Sequence, residues 1–163
     1  MLQEPPRDTK YASKKNLWYN YIKLNGKLSI KDRRMRFGFI NVSKCYFCEN
    51  CESMIHLFFA CDALNHIWRD ILKWMGIRRN LYIWNREKMW MIKETKIKVW
   101  KWHILKIAIA EAVYEIWRSR NEKIFSQRDK NPYLKDKIIR NIVARCTLHR
   151  ELENHVNTIH PWI

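Results

Sequence analysis

At 163 residues the chain is long enough to bury a real core, as one domain or as two small ones. Lys and Arg number 32 against 16 acids, a formal +16 with 11 basic and 5 acidic residues in 1–60 and 21 and 11 in 61–163; an excess of that size favours a polyanionic partner, nucleic acid ahead of an acidic membrane. Apolar residues at 47% argue against disorder, and three Gly with four Pro are too few for a turn-rich β-sandwich, so a mainly α fold is expected.

Residues 1–12 read as a polar, Pro-containing leader without the apolar core of a signal peptide. From Ser13, the positions Leu17, Trp18, Tyr21 and Ile22 share one face and predict a helix over 13–24 that Asn25-Gly26 stops. Ser29 with Asp32 three positions on resembles a capping box, with Asp in the place of Glu. It predicts a short helix through Lys31, Arg33, Arg34 and Arg36, ended by Gly38. Beyond a Cys-rich loop, Asp62 is placed to cap a helix over 62–75. Its apolar face is Leu64, Ile67, Trp68, Ile71, Leu72 and Met75, and Gly76 stands at the C-terminal cap.

Residues 77–96 are basic and Trp-bearing and read as a linker. A long helix is predicted over 97–125, through Trp100, Ile104, Ala108, Ala112 and Ile116. Asn131-Pro132, an N-cap followed by proline at the first helical position, opens a helix over 132–147 faced by Leu134, Ile138, Ile142 and Cys146. The expected organisation is a small zinc-knuckle-containing helical domain over 13–76, the linker, a helical region over 97–150 and a tail over 151–163. No stretch reaches the about 18 apolar residues of a membrane span. Five cysteines without an export signal fit a reducing, intracellular setting, the nucleus included, rather than a disulfide framework.

The most informative spacing is Cys45-x2-Cys48-x7-His56-x4-Cys61. Three thiolates and an imidazole suit tetrahedral zinc, and four protein ligands close the shell, as in structural rather than catalytic sites. The competing reading is ordinary: cysteines are often small buried hydrophobes, and His56 sits in the apolar run Met54 to Phe59. Against it, four of the five cysteines fall within residues 45–61 with a histidine among them. Cys51 is a spare that could replace Cys48, although spacing favours Cys48. Cys146 stands apart as a core residue.

These residues lie inside a longer pattern. Lys27-Leu28-Ser29-Ile30-Lys31-Asp32-Arg33, Gly38, Cys45-x2-Cys48, Glu52, His56-Leu57-Phe58-Phe59, Cys61 and Trp68 together resemble the zinc-binding domain at the C-terminal end of plant non-LTR retrotransposon reverse transcriptases, over roughly residues 14–75. Ser29 and Ile30 depart from the Pro and Thr usual there. A weaker likeness, to a segment that often follows in those proteins, covers Ile116-Trp117-Arg118-Ser119-Arg120-Asn121-Glu122-Lys123-Ile124-Phe125. The resemblance implies one structural zinc, in a module attached to a polymerase and handling RNA or DNA.

Catalytic signatures are absent. The chain has no adjacent aspartates for two-metal phosphoryl transfer. Neither a HExxH, a GxSxG, a glycine-rich phosphate loop nor a deaminase pattern is present. Glu111, Glu115, Glu122, Asp129 and Asp136 recur at helical intervals beside basic residues and read as solvated helix faces rather than a ribonuclease site. The expected function is therefore non-catalytic binding of RNA or DNA. Lys31, Arg33, Arg34 and Arg36 would meet phosphates, and exposed Tyr46 or Phe47 would stack on bases. The alternative is a structural or protein-interaction module whose Trp84, Trp90, Trp100 and Trp102 surfaces pack on a polymerase or on a second copy.

Overall fold

The structure, a computed structural model, describes residues 28–78, 100–126 and 133–159. They form α1 (Lys31–Arg36), a π-helical turn (His56–Ala60), α2 (Asp62–Trp74), α3 (Trp100–Ser126), α4 (Leu134–Thr147) and α5 (Arg150–Val156). Among the described residues the only extended pairing is one isolated bridge between Lys44 and Cys51, and the fold is mainly α as expected. The helix expected over 13–24 lies outside the described residues. So do Trp84 and Trp90.

α2 follows its sequence pattern closely. Leu64, Ile67, Trp68, Ile71 and Leu72 recur at offsets of three and four and are all buried. At its C-terminus Gly76 takes φ +67°. The Gly76 N–H bonds Lys73 C=O at 2.9 Å and the Ile77 N–H bonds Leu72 C=O at 2.7 Å. These two bonds make a Schellman cap, and the residues of its usual apolar pair are Leu72, buried in the core, and Ile77, partly buried against it. The N-cap, expected at Asp62, is Cys61, whose carbonyl takes the Leu64 and Asn65 N–H groups at 2.9 and 2.7 Å. Asp62 stands one residue inside, where its charge faces the positive end of the helix.

α3 runs through the centre of the core and buries Ile104, Leu105, Ile107, Ala108, Ala112, Val113 and Ile116. Its acids correct the sequence reading. Glu111 and Glu115 are not solvated but only 2% and 3% exposed. A buried carboxylate costs several kcal/mol unless paired, and α4 supplies the partners. Lys137 Nζ lies 2.8 Å from Glu115, Asn141 Nδ2 lies 3.2 Å from the same carboxylate, and Arg145 Nε pairs with Glu111. Glu122 does pair at the surface, with Arg118 at 2.7 Å, and Asp136 is partly exposed beside Lys135. Asp129 falls outside the described residues.

The N-cap of α4 is Tyr133 rather than Asn131, with no side-chain capping bond; residues 131 and 132 are not described. Ile138, Ile142 and Cys146 face α3 and the rest of the core as the spacing requires. The chain then turns into α5, where a tail was expected, and Leu152 and Val156 one turn apart are both buried. His155 stacks on Trp100 with ring centroids 4.4 Å apart. Trp100 and Trp102 thus pack partly buried against the core and are not the open surfaces expected of an orphan interface. Among the described residues no helix is long and apolar enough to cross a membrane.

Candidate metal centre and its basic flank

The Lys44–Cys51 bridge closes a small hairpin, with the Cys45 N–H on Asn50 C=O at 2.8 Å and the Glu52 N–H on Ser43 C=O at 2.6 Å. Its tight turn carries Cys45 and Cys48. The Phe47 N–H points at Cys45 Sγ, 3.4 Å away, a donor that favours a thiolate. Ser53 then starts the next helical segment: its hydroxyl oxygen accepts the His56 N–H at 3.0 Å and its carbonyl accepts the Leu57 N–H at 2.9 Å. The segment widens into the π-helical turn that ends at Cys61. Such turns leave carbonyls off the regular ladder, and the Trp68 indole N–H donates to one of them, Phe58 C=O. Phe59 stacks on the same indole, 5.4 Å between centroids. Trp68 therefore fixes the turn that carries His56 and Cys61 onto α2.

The ligand atoms of Cys45, Cys48, His56 and Cys61 lie within 4.8 Å of one another. A tetrahedral zinc with bonds of about 2.3 Å to sulfur and about 2.0 Å to nitrogen has S–S edges of about 3.8 Å and S–N edges of about 3.5 Å. The Cys48 and Cys61 sulfurs are 3.8 Å apart, and His56 Nε2 is 3.1 Å from Cys48 Sγ. The cluster fits one zinc ion with no position left for water. Cys45, His56 and Cys61 are buried and Cys48 half-buried. The Cys61 thiol hydrogen-bonds Cys45, which holds the Cys45 thiol below its ordinary range and pushes Cys61 above it, with burial adding to the rise. Two sulfurs so close ionise together only around a cation. Cys51 lies outside the shell, exposed on the hairpin, and accepts from the Ser43 hydroxyl at 3.3 Å. Cys146 is deep in the core, where burial pushes its thiol up to about 12.

Glu52 is the residue whose role the sequence did not reveal. Its side chain is fully buried. Oε1 accepts from Arg120 Nη2 at 2.6 Å and from the Lys31 N–H at 3.0 Å, while Oε2 accepts from Arg120 Nε at 3.3 Å. The Glu52 carbonyl takes the Asp32 N–H at 3.1 Å. Glu52 therefore caps α1 from the metal loop. The Ser29–Asp32 capping box does not form: the N-cap is Ile30, without a side-chain bond, and Asp32 turns instead to Arg36. The guanidinium of Arg120 also lies over the Trp117 and Tyr46 rings, at 4.8 and 5.5 Å. Both partners stand in the quoted motifs, but nothing in a linear pattern pairs residues 68 apart.

The basic residues of α1 sit directly beside this loop. Lys31 Nζ lies 3.5 Å above the Tyr46 ring and donates to Lys44 C=O at 2.5 Å. Arg36 pairs with Asp32 and holds that carboxyl below its usual range, and Arg33 lies over Phe37 at 5.6 Å. The aromatic half of the sequence expectation needs correcting. Phe47 is 8% exposed, packed into the core with Lys123 over its ring. Tyr46 is half-buried between Lys31 and Arg120. Phe47 is thus closed to a base, and Tyr46 already carries two cations on its ring.

Fold and site together define a helical module organised around a Cys3His centre that can hold one structural zinc. Residues 9–68 match a family model described as zinc-binding in reverse transcriptase, and that segment contains all four ligand residues and ends at Trp68. The likeness to that family covers this segment and does not extend over the rest of the chain. No curated protein and no solved structure matches the chain.

Proposed function

We propose that the chain is a non-catalytic, zinc-stabilised nucleic-acid-binding module, a fragment or remnant of a retroelement reverse transcriptase of the plant non-LTR type. The observation that carries this reading is the attachment of α1 to the metal loop. Glu52, between Cys48 and His56, caps the helix that displays Lys31, Arg33, Arg34 and Arg36. Zinc bound by Cys45, Cys48, His56 and Cys61 cross-links the hairpin to α2 and gives that basic helix a fixed base. With four protein ligands it supplies structure and no open coordination site. The charge of +16 supplies the long-range attraction.

The test is a fluorescence-anisotropy titration of the zinc-loaded chain with labelled RNA at 50 and 200 mM salt. If four phosphates are neutralised on a single strand, log affinity falls with log salt at a slope of about −3, or about fifty-fold between the two conditions. Arg33→Glu with Arg34→Glu weakens binding to unrelated sequences alike and leaves zinc content unchanged, because phosphate contacts carry no sequence information. A flat salt dependence sinks the proposal. It would favour the second reading, a module that packs on a polymerase, to which the exposed Phe125 and Tyr133 lend some support.

A further inference from the structure

With Phe47 buried and Tyr46 half-buried between Lys31 and Arg120, the basic flank needs other rings if it is to hold bases. The C-terminus of α1 provides them. Gly38 takes φ +73°, its N–H bonds Met35 C=O at 3.0 Å, and the Phe39 N–H bonds Arg34 C=O at 2.9 Å. The same Schellman cap ends α2, and the two differ at one point. There the position after the glycine is Ile77, partly buried against the core cluster that holds Leu72. Here it is Phe39, and the helix position it ordinarily packs against is Arg34. Phe39 is left 73% exposed and Phe37, on the other side of the glycine, 64% exposed.

The surroundings of these rings decide what covers them. Residues 28–44 hold five cations, Lys31, Arg33, Arg34, Arg36 and Lys44, against the single acid Asp32, which is already paired with Arg36. Arg33 lies over the Phe37 ring. Two open aromatic faces within a cluster of arginines match single-stranded nucleic acid, whose unpaired bases stack on rings while its phosphates meet cations. Duplex offers the same phosphates but keeps its bases stacked inside.

We infer that Phe37 and Phe39, presented on either side of Gly38 and flanked by Arg33, Arg34 and Arg36, form a base-stacking platform for single-stranded RNA or DNA. This rests on the nucleic-acid reading above and adds a preference that charge alone does not give: single strand over duplex.

The experiment compares the zinc-loaded full chain with Phe37→Ala, Phe39→Ala, their double variant and Phe39→Trp. Each is titrated by anisotropy with one labelled RNA strand and with the same strand annealed to its complement, at two salt concentrations. Each alanine is expected to weaken single-strand binding about ten-fold or more, to leave duplex binding within about two-fold, and to leave the salt slope unchanged. Phe39→Trp should restore affinity. Zinc content and circular dichroism should stay at wild-type values, since both rings are exposed. If the wild type shows no salt-dependent binding at all, the nucleic-acid reading fails and takes the platform with it. If salt-dependent binding is intact but the double variant holds the single strand as tightly as wild type, the platform alone is overturned. Wild-type RNA binding together with a change of oligomeric state on sedimentation would also overturn it, and would assign the rings to contact between copies of the chain.

Discussion

Substituting Arg120 by Met tests whether the metal loop and α3 are one structural unit. The change keeps much of the side-chain length and removes both charge-assisted bonds to Glu52, the 2.6 Å bond to Oε1 and the 3.3 Å bond to Oε2. What remains on a fully buried carboxylate is one backbone donor, Lys31 N–H. Breaking one side of a buried pair costs about 3–5 kcal/mol, because the surviving charge is uncompensated. Of a typical domain stability of about 5–15 kcal/mol that is a large share. Glu52→Gln should cost less. Its amide oxygen can still cap α1, and the Arg120 guanidinium keeps Asn121 Oδ1 at 3.2 Å and the faces of Trp117 and Tyr46. The double variant should then be destabilised by clearly less than the sum of the two, with an interaction energy of about 1–3 kcal/mol. Urea denaturation of the four proteins, with zinc saturating and helicity as the signal, measures the cycle. Additive effects, or a loss below about 1 kcal/mol for Arg120→Met, would refute the coupling and leave α1 held by the hairpin alone.

Two further outcomes follow from the site and its support. Cys61→Ser is expected to abolish stoichiometric zinc by metal analysis while Cys51→Ser and Cys146→Ser retain it; loss of the metal in Cys51→Ser with retention in Cys48→Ser would mean that the hairpin turns the wrong sulfur inward. Trp68→Phe should cost about 1 kcal/mol for the lost bond to Phe58 C=O, and Trp68→Ala about 3–5 kcal/mol with the cavity added; wild-type stability of Trp68→Phe on thermal or chemical unfolding would show that the indole N–H does not hold the π-helical turn.

The parts of this molecule that were legible in the sequence are those decided by neighbours in the chain. α2 writes its buried face at offsets of three and four and its end in Gly76. The Cys-x2-Cys turn and the following His and Cys define the metal cluster by spacing alone. What stayed hidden depends on contacts between distant segments. The cap of α1 comes from Glu52, 21 residues on, so the local Ser29–Asp32 pattern misled. Glu111 and Glu115, one turn apart, have the spacing of a solvated face and of a buried one equally. The distinguishing signal lay elsewhere, in Lys137, Asn141 and Arg145, which repeat at the same interval on α4. α5 is seven residues long, too short to be stable by propensity, and exists because Leu152 and Val156 reach the core. Phe47 reads as a knuckle-tip aromatic, yet the tight turn that aims Cys45 inward carries its ring inward as well.

The magnitudes also separate what forms the site from what aims it. Structural zinc contributes on the order of 10–16 kcal/mol in small modules, several times a buried ion pair. Metal therefore decides whether the hairpin, the π-helical turn and the start of α2 come together. It does not decide where α1 points, since no ligand lies in α1. That direction is set by Glu52, which takes two backbone N–H groups of the helix, and the charge on Glu52 is balanced by Arg120 on α3. The family match ends at Trp68, yet a residue beyond it completes the support of the basic helix. A segment cut at residue 68 would keep all four metal ligands while its Glu52 faced α1 without Arg120. Zinc binding and presentation of the Arg33, Arg34 and Arg36 surface are thus separable, and the second requires α3.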